Sequence, residues 1–320
     1  MDLNVNKYHF ARPTKVEILK FAKNVFDLDA TLCFDIEDIV REMANSDVDK
    51  QLHREKVICS LEFVIKSFIS PKVGLRVNVF GSKEFFDDVK VLEKIKSQVP
   101  LECIFLPKIK SGEEIHKCSE ILRSKKINVT DIIPIIENKK SFNDLKKIVD
   151  SSRKIINKLA FGHCDYNYDI KNFPFHHQDS EKYWEWIDFI VSTIQDYEIK
   201  FINSPYLELN NDINFLKMMN RLSQRTNGNF GQITLSLNQL KLCSLYAKKP
   251  KVNSTFYNKN EWSFNWEYIA KKMIREYEDF ISNDRSFSFN KEKGIIISPQ
   301  EYLAANKYLS ARNAFNASKN

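Results

Sequence analysis

One pattern constrains this chain more than any other. Short apolar runs rich in β-branched residues alternate with longer amphipathic segments from the N-terminus to about Lys249. The runs are Tyr8–Arg12, Ala30–Asp35, Val73–Val79, Leu101–Pro107, Asp131–Glu137, Lys158–Gly162, Ile199–Ile202 and Gly231–Leu235. Between them, apolar residues recur at i, i+3 and i+4, as in KEFFDDVKVLEKIKSQ from Lys83 and SFNDLKKIVDSSRKII from Ser141, the spacing of an amphipathic helix. Ser111, Ser141 and Ser180 stand where helix N-caps are expected. Eight strands alternating with helices is the arithmetic of a (β/α)8 TIM barrel. An open doubly wound sheet is the rival, but no G-x-G-x-x-G follows any strand, so a dinucleotide fold gains no support.

The alternation stops near Pro250. NEWSFNWEYIAKKMIREYEDFIS reads as a long aromatic-rich helix, SFSFNKEKGIIIS as a hairpin and PQEYLAANKYLSARNAF as a closing helix. The expected division is a barrel over residues 1–250 and a C-terminal helical extension over 251–320, packing on the barrel or on a neighbouring subunit. Exposed aromatics on such an extension call for a partner surface, either the barrel or another subunit.

Composition excludes several classes of function. With 43% hydrophobic residues the chain can fill a core, yet no run approaches the roughly 18 apolar residues of a membrane span. The net charge of +7 is spread among acids with no basic block, so neither a nucleic-acid nor a membrane partner is expected; an anionic small molecule is. The six cysteines are widely spaced without a C-x-x-C, which fits reduced thiols rather than a disulfide framework or zinc site. MDLNVNKYHFARPTK has no apolar signal region, so the reading is cytoplasmic.

Barrel chemistry gathers at the C-terminal ends of the strands. Reading those ends in order gives Arg12, then Asp35, Glu37 and Asp38 in CFDIEDIV, Arg76, Lys108, Glu137 and Asp165. Charged groups inside apolar runs are costly unless paired or metal-bound. Glu137 and Asp165 follow apolar runs on neighbouring strands, and two carboxylates plus waters suit Mg²⁺; the competing reading is a helix cap or a lysine pair. Arg76, in GLRVN, has the planar fork to grip a substrate carboxylate, or else pairs with an acid of FDIEDIV. His163, His176 and His177 are alternative bases, and Cys164 reads as a rim thiol.

Five segments together resemble the citrate lyase β-subunit family, within the HpcH/HpaI aldolase and citrate lyase superfamily. FDIEDIV resembles its DLEDaV segment, GLRVN its VRvN, IFLPKIKSGEEI its PK motif, IIPIIENKKSF its strand-ending acidic motif, and KLAFGHCDYNYDI its fG-x-x-D motif, in the same order. The resemblance implies a barrel that makes or breaks C–C bonds beside a 2-oxo or 3-hydroxy acid, using Mg²⁺ or Mn²⁺. It implies Glu137 and Asp165 as metal ligands, Arg76 as a catalytic and substrate-binding residue, Glu37 and Asp38 as a catalytic pair holding metal-bound water with Asp35 in support, and Arg12 as a second carboxylate-binding residue. It also implies oligomers whose C-terminal segment covers a barrel.

Departures bear on the substrate. The family's IHP near the last strand appears as LSL at Leu235–Leu237, with Gln239 kept, and the family's C-terminal Asp is replaced by Lys293 beside Glu292. A CoA thioester thereby loses support relative to a free oxo acid. Two further readings follow: a thioester hydrolase or condensing enzyme of specialised or surface-polysaccharide metabolism on the same barrel, and a non-catalytic ligand-binding homologue.

Overall fold

A computed structural model describes residues 3–11, 17–37, 47–95, 101–249, 265–281 and 287–317. Eight parallel strands close into a barrel in sequence order, β1 pairing with β8. They are β1 (Asn4–Ala11), β2 (Thr31–Asp35), β3 (Val73–Arg76), β4 (Leu101–Leu106), β5 (Val129–Ile136), β6 (Lys158–Phe161), β7 (Lys200–Asn203) and β8 (Asn229–Thr234). Every strand falls on a run read from the sequence. The outer helices are α1 (Ile18–Phe26), α2 (Asp47–Ser67), α3 (Lys83–Lys94), α4 (Gly112–Ser124), α5 (Lys139–Asn143), α6 (Leu145–Ser152), α7 (His163–Asp169), α8 (Glu181–Ile194), α9 (Asp212–Arg225) and α10 (Leu237–Lys248). None of the described helices is long and apolar enough to cross a membrane.

Strand alternation sorts the core into two shells. Cys33, Cys103, Phe105, Ile133, Ile135 and Ala160 pack inside the barrel, while Leu32, Phe34, Ile104, Leu106 and Ile136 face the helices, as a period of two requires. Gly74 lies between two inward thiols: a Cβ there would stand 2.5 Å from Cys103 Sγ and 3.1 Å from Cys33 Sγ. Only a glycine lets the three strands close at that level.

Helix starts use side-chain caps. Ser111 accepts from the Glu114 N–H and Ser180 from the Lys182 N–H, as expected. Ser141 is a correction. The cap is Asn138, whose Oδ1 accepts from the Ser141 N–H, and the segment forms two helices, α5 and α6, with Ser141 buried inside the first. Asn is as good a cap as Ser, and it stands directly after Glu137.

The C-terminal part consists of α11 (Trp266–Phe280), the antiparallel hairpin β9 (Ser288–Asn290) and β10 (Ile295–Ile297), and α12 (Pro299–Ala317). The hairpin is stitched to the loop after β7: the Leu209 N–H donates to Gly294 O at 2.6 Å and the Ile296 N–H to Leu207 O at 3.0 Å. Tyr277 of α11 stacks on Tyr302 of α12 at 4.4 Å between centroids. The boundary expected at Pro250 lies outside the described residues.

Candidate active site at the C-terminal rim

The same alternation that builds the core delivers the rim. Asp35 continues the inward set of Cys33, Arg76 that of Gly74, and Glu137 that of Ile133 and Ile135. Asp35 and Arg76 are register partners on β2 and β3. Arg76 Nε donates to Asp35 Oδ1 at 2.8 Å and Nη2 to Oδ2, a fork-to-carboxylate pair. Its Nη1 meets Glu37 Oε2 at 2.9 Å. Of the two readings of Arg76, the ion pair with FDIEDIV acids is therefore present. Each Nη nitrogen still carries one N–H beyond these contacts.

Lys108 links the acids of different strands. Its residue adopts a left-handed backbone, φ 53°, which turns its N–H onto Glu137 Oε1 at 2.6 Å. Its Nζ reaches Glu37 Oε1 at 3.0 Å and Asp165 Oδ1 at 3.6 Å. Glu137 is 3% exposed, and its Oε2 accepts no hydrogen bond among the described residues. Gly162 makes room for that oxygen, since a Cβ at Gly162 would stand 2.3 Å from it. Asp165 belongs to the first turn of α7 rather than to a strand end; Gln300 Nε2 donates to its Oδ2 at 3.0 Å.

The electrostatics follow from a simple count. Asp35, Glu37, Glu137 and Asp165 are four acids against two cations, Arg76 and Lys108, so full ionisation leaves 4 − 2 = 2 negative charges in excess. Burial, then the neighbouring Asp165 and Glu37 charges, push the Glu137 carboxyl well above its usual range. Asp165 is pushed up by burial, against Lys108. Glu37 goes the other way: burial is outweighed by Arg76 and Lys108, which hold it ionised. Burial works against Lys108 too, but Glu37 and Asp165 keep its pKa above the ordinary lysine value. Among the described residues no three or more His, Cys, Asp or Glu side chains form a ready metal cage. Counted over the described residues, the rim instead offers two carboxylates and a charge deficit of two.

Several other polar residues near the strand ends are structural. Asn78 and Asp88 bond each other, Ser204 Oγ donates to Phe161 O, Asp169 accepts from the Lys139 N–H, and Gln239 donates to Tyr206 O. Lys293 sits between β9 and β10, paired with Glu276. His163, 1% exposed, meets His177 Nδ1 at 3.0 Å through Nε2, and Cys164 Sγ lies 3.5 Å from the same nitrogen. Burial pushes the Cys164 thiol well up, which disfavours a thiolate there. Arg12 and Asp38 lie outside the described residues.

Two contributors were not read from the sequence: Gln300, and Glu301, whose Oε1 stands 2.9 Å from His177 Nε2. A signal existed, because Ser298-Pro299-Gln300-Glu301 has the spacing of a capping box with proline at the first helical position.

A closed parallel barrel that gathers carboxylates, an arginine and a lysine at the C-terminal ends of its strands has the build of a TIM-barrel enzyme. The family model described as HpcH/HpaI aldolase/citrate lyase matches residues 21–225, and the chain belongs to that family of carbon–carbon bond enzymes. No curated protein matches the chain at a significant level. Among solved structures, RipC from Yersinia pestis is similar at 18% identity and a TM-score of 0.56, covering 77% of this chain and 96% of that one. The citrate lyase beta subunit of M. tuberculosis, complexed with oxaloacetate and magnesium, is 12% identical with a TM-score of 0.59, over 77% and 98%. The Haloferax volcanii malate synthase pyruvate/acetyl-CoA ternary complex is 12% identical with a TM-score of 0.70, over 98% and 92%. At these identities the structures speak for the fold alone.

Proposed function

We propose that this protein is a Mg²⁺-dependent carbon–carbon lyase or aldolase of a 2-oxo or 3-hydroxy carboxylic acid, with Mn²⁺ able to replace Mg²⁺. The observation that carries the reading is the deficit of two positive charges among the described rim residues around Glu137, whose buried Oε2 accepts from no donor among the described residues. Carboxylate oxygen donors fit Mg²⁺ better than a softer ion. Glu137 and Asp165 would hold the ion. Bound there, it would supply Lewis-acid stabilisation of an enolate oxygen.

The chain's own residues account for the rest. Arg76, held by Asp35 and Glu37, has one N–H left on each Nη for a substrate carboxylate or carbonyl oxygen, and its orientation is set before substrate arrives. Arg12 is the candidate for a second carboxylate. Glu37 stays ionised between Arg76 and Lys108 and can orient water at the rim, with Asp38 as its proposed companion. A free oxo acid is favoured over a CoA thioester because Lys293, paired with Glu276, stands where an acid would be needed.

Condensation, the reverse direction, is the second reading. The likeness to the malate synthase fold, over 98% of this chain, is compatible with either direction. A screen of oxaloacetate, pyruvate, glyoxylate and short 3-hydroxy acids with Mg²⁺, followed by proton NMR, tests both directions. Turnover that disappears in Glu137→Gln supports the reading. No turnover of any acid, with Glu137→Gln indistinguishable in Mg²⁺ binding, would sink it.

A further inference from the structure

We infer that Gln300, which the C-terminal strap of β9, β10 and α12 brings to the rim, is a positioning residue for Asp165. The inference rests on the reading of Asp165 as a metal ligand.

The first turn of α12 is fastened to α7 at two points. Gln300 Nε2 donates directly to Asp165 Oδ2 at 3.0 Å. Glu301 divides its carboxylate: Oε2 accepts from the Ser298 N–H and Oγ, both at 2.9 Å, closing the capping box, while Oε1 meets His177. His177 in turn meets His163, which opens the helix that carries Asp165. Glu301 is 4% exposed. A buried carboxylate with all its partners in place fixes geometry rather than decorating a surface.

The chemistry of the Gln300 contact matters. A neutral amide takes one oxygen of Asp165 without cancelling its charge, whereas lysine or arginine at that position would compete with a cation. Oδ2 is tied to the strap, and Oδ1 is left on the rim side toward Lys108. Holding a ligand carboxylate in one rotamer lowers the ordering cost of binding. Because coupling between two sites is reciprocal, metal at the rim must also steady the strap.

The test uses the full-length protein, Mn²⁺ and a variant that keeps length but loses the donor, Gln300→Met. Calorimetry is expected to show Mn²⁺ binding weakened about fivefold, the worth of one ordinary hydrogen bond. Amide exchange in the first two turns of α12 should slow on adding Mn²⁺ to the wild type, and not in the variant. The exchange measurement on the wild type needs no substitution and stands even if the variant folds poorly. If Mn²⁺ binds the wild type but leaves exchange in α12 unchanged, or binds Gln300→Met equally well, the inference falls and the metal reading survives. If the wild type binds no Mn²⁺, both fall.

Discussion

Lys108 serves Glu137 with its backbone and other acids with its side chain: its N–H donates to Glu137 Oε1 at 2.6 Å, while its Nζ lies 3.0 Å from Glu37 Oε1. The left-handed backbone, φ 53°, makes the division possible. Lys108→Gly therefore separates the two roles, because glycine keeps the N–H and takes this backbone without strain. We expect the variant to lose stability because buried Glu37 keeps only Arg76 as a partner, to bind Mn²⁺ several-fold more tightly for want of a competing ammonium, and to turn over more slowly. Lys108→Val, forced into the same backbone, should lose about 1–2 kcal/mol more than Lys108→Gly. Unfolding and calorimetry on the two variants check this.

Arg76→Lys tests the fork. Lysine reaches the rim but cannot bond Asp35 through two parallel N–H groups and Glu37 through a third nitrogen. Activity should fall by about 10²-fold, the usual effect of losing one oriented donor to a developing oxyanion. Arg76→Met goes further and leaves Glu37, 4% exposed at its side chain, with Lys108 alone; about 3 kcal/mol of stability should go with it. Equal activity in wild type and Arg76→Lys would remove Arg76 from the chemistry.

Gly162→Ala is a probe of room rather than charge. The new Cβ would stand 2.3 Å from Glu137 Oε2 and 2.8 Å from Glu137 Cβ, so the glutamate must move. A destabilisation of about 1–3 kcal/mol is expected, together with Mn²⁺ affinity reduced by at least an order of magnitude. A crystal structure of the variant with Glu137 unmoved would contradict the packing argument.

The strap's attachment should depend on pH through His177 and Glu301. Burial disfavours the charged form of each, but their pairing wins, raising the His177 pKa and lowering that of Glu301. The His177 contribution is complete below the ordinary histidine value, about 6.5, and is lost as pH rises through the folded value. The Glu301 contribution is complete above about 4.3 and is lost as pH falls through its folded value. The gap in melting temperature between wild type and Glu301→Gln should thus be widest between about pH 4.3 and 6.5 and narrow toward pH 9. Scanning calorimetry across that range measures it.

Much of this architecture is legible in the sequence because it is written in periods. Apolar, β-branched runs stand where the strands are, and the charged residues at their ends are legible there; that Asp35, Arg76 and Glu137 share the inward face emerges from the strand register. Other parts are not periodic. The placing of the cap at Asn138 rather than Ser141 depends on which of two competent residues the chain turns at. Lys108 reads as an ordinary strand-end lysine until its left-handed backbone is seen, and no spacing predicts that. Gln300 meets a residue 135 positions away, and Glu301 one 124 away; the capping box locates their helix but not what it lies against.

The central claim is that Glu137 and Asp165 hold a divalent cation at the rim, and it is tested most directly by titrating Mn²⁺ into the wild type, Glu137→Gln and Asp165→Asn in the presence of pyruvate. The account predicts one site per chain in the wild type, tightened by pyruvate and lost or weakened by more than an order of magnitude in each variant. Binding of equal strength in all three proteins, or none in the wild type, would contradict it.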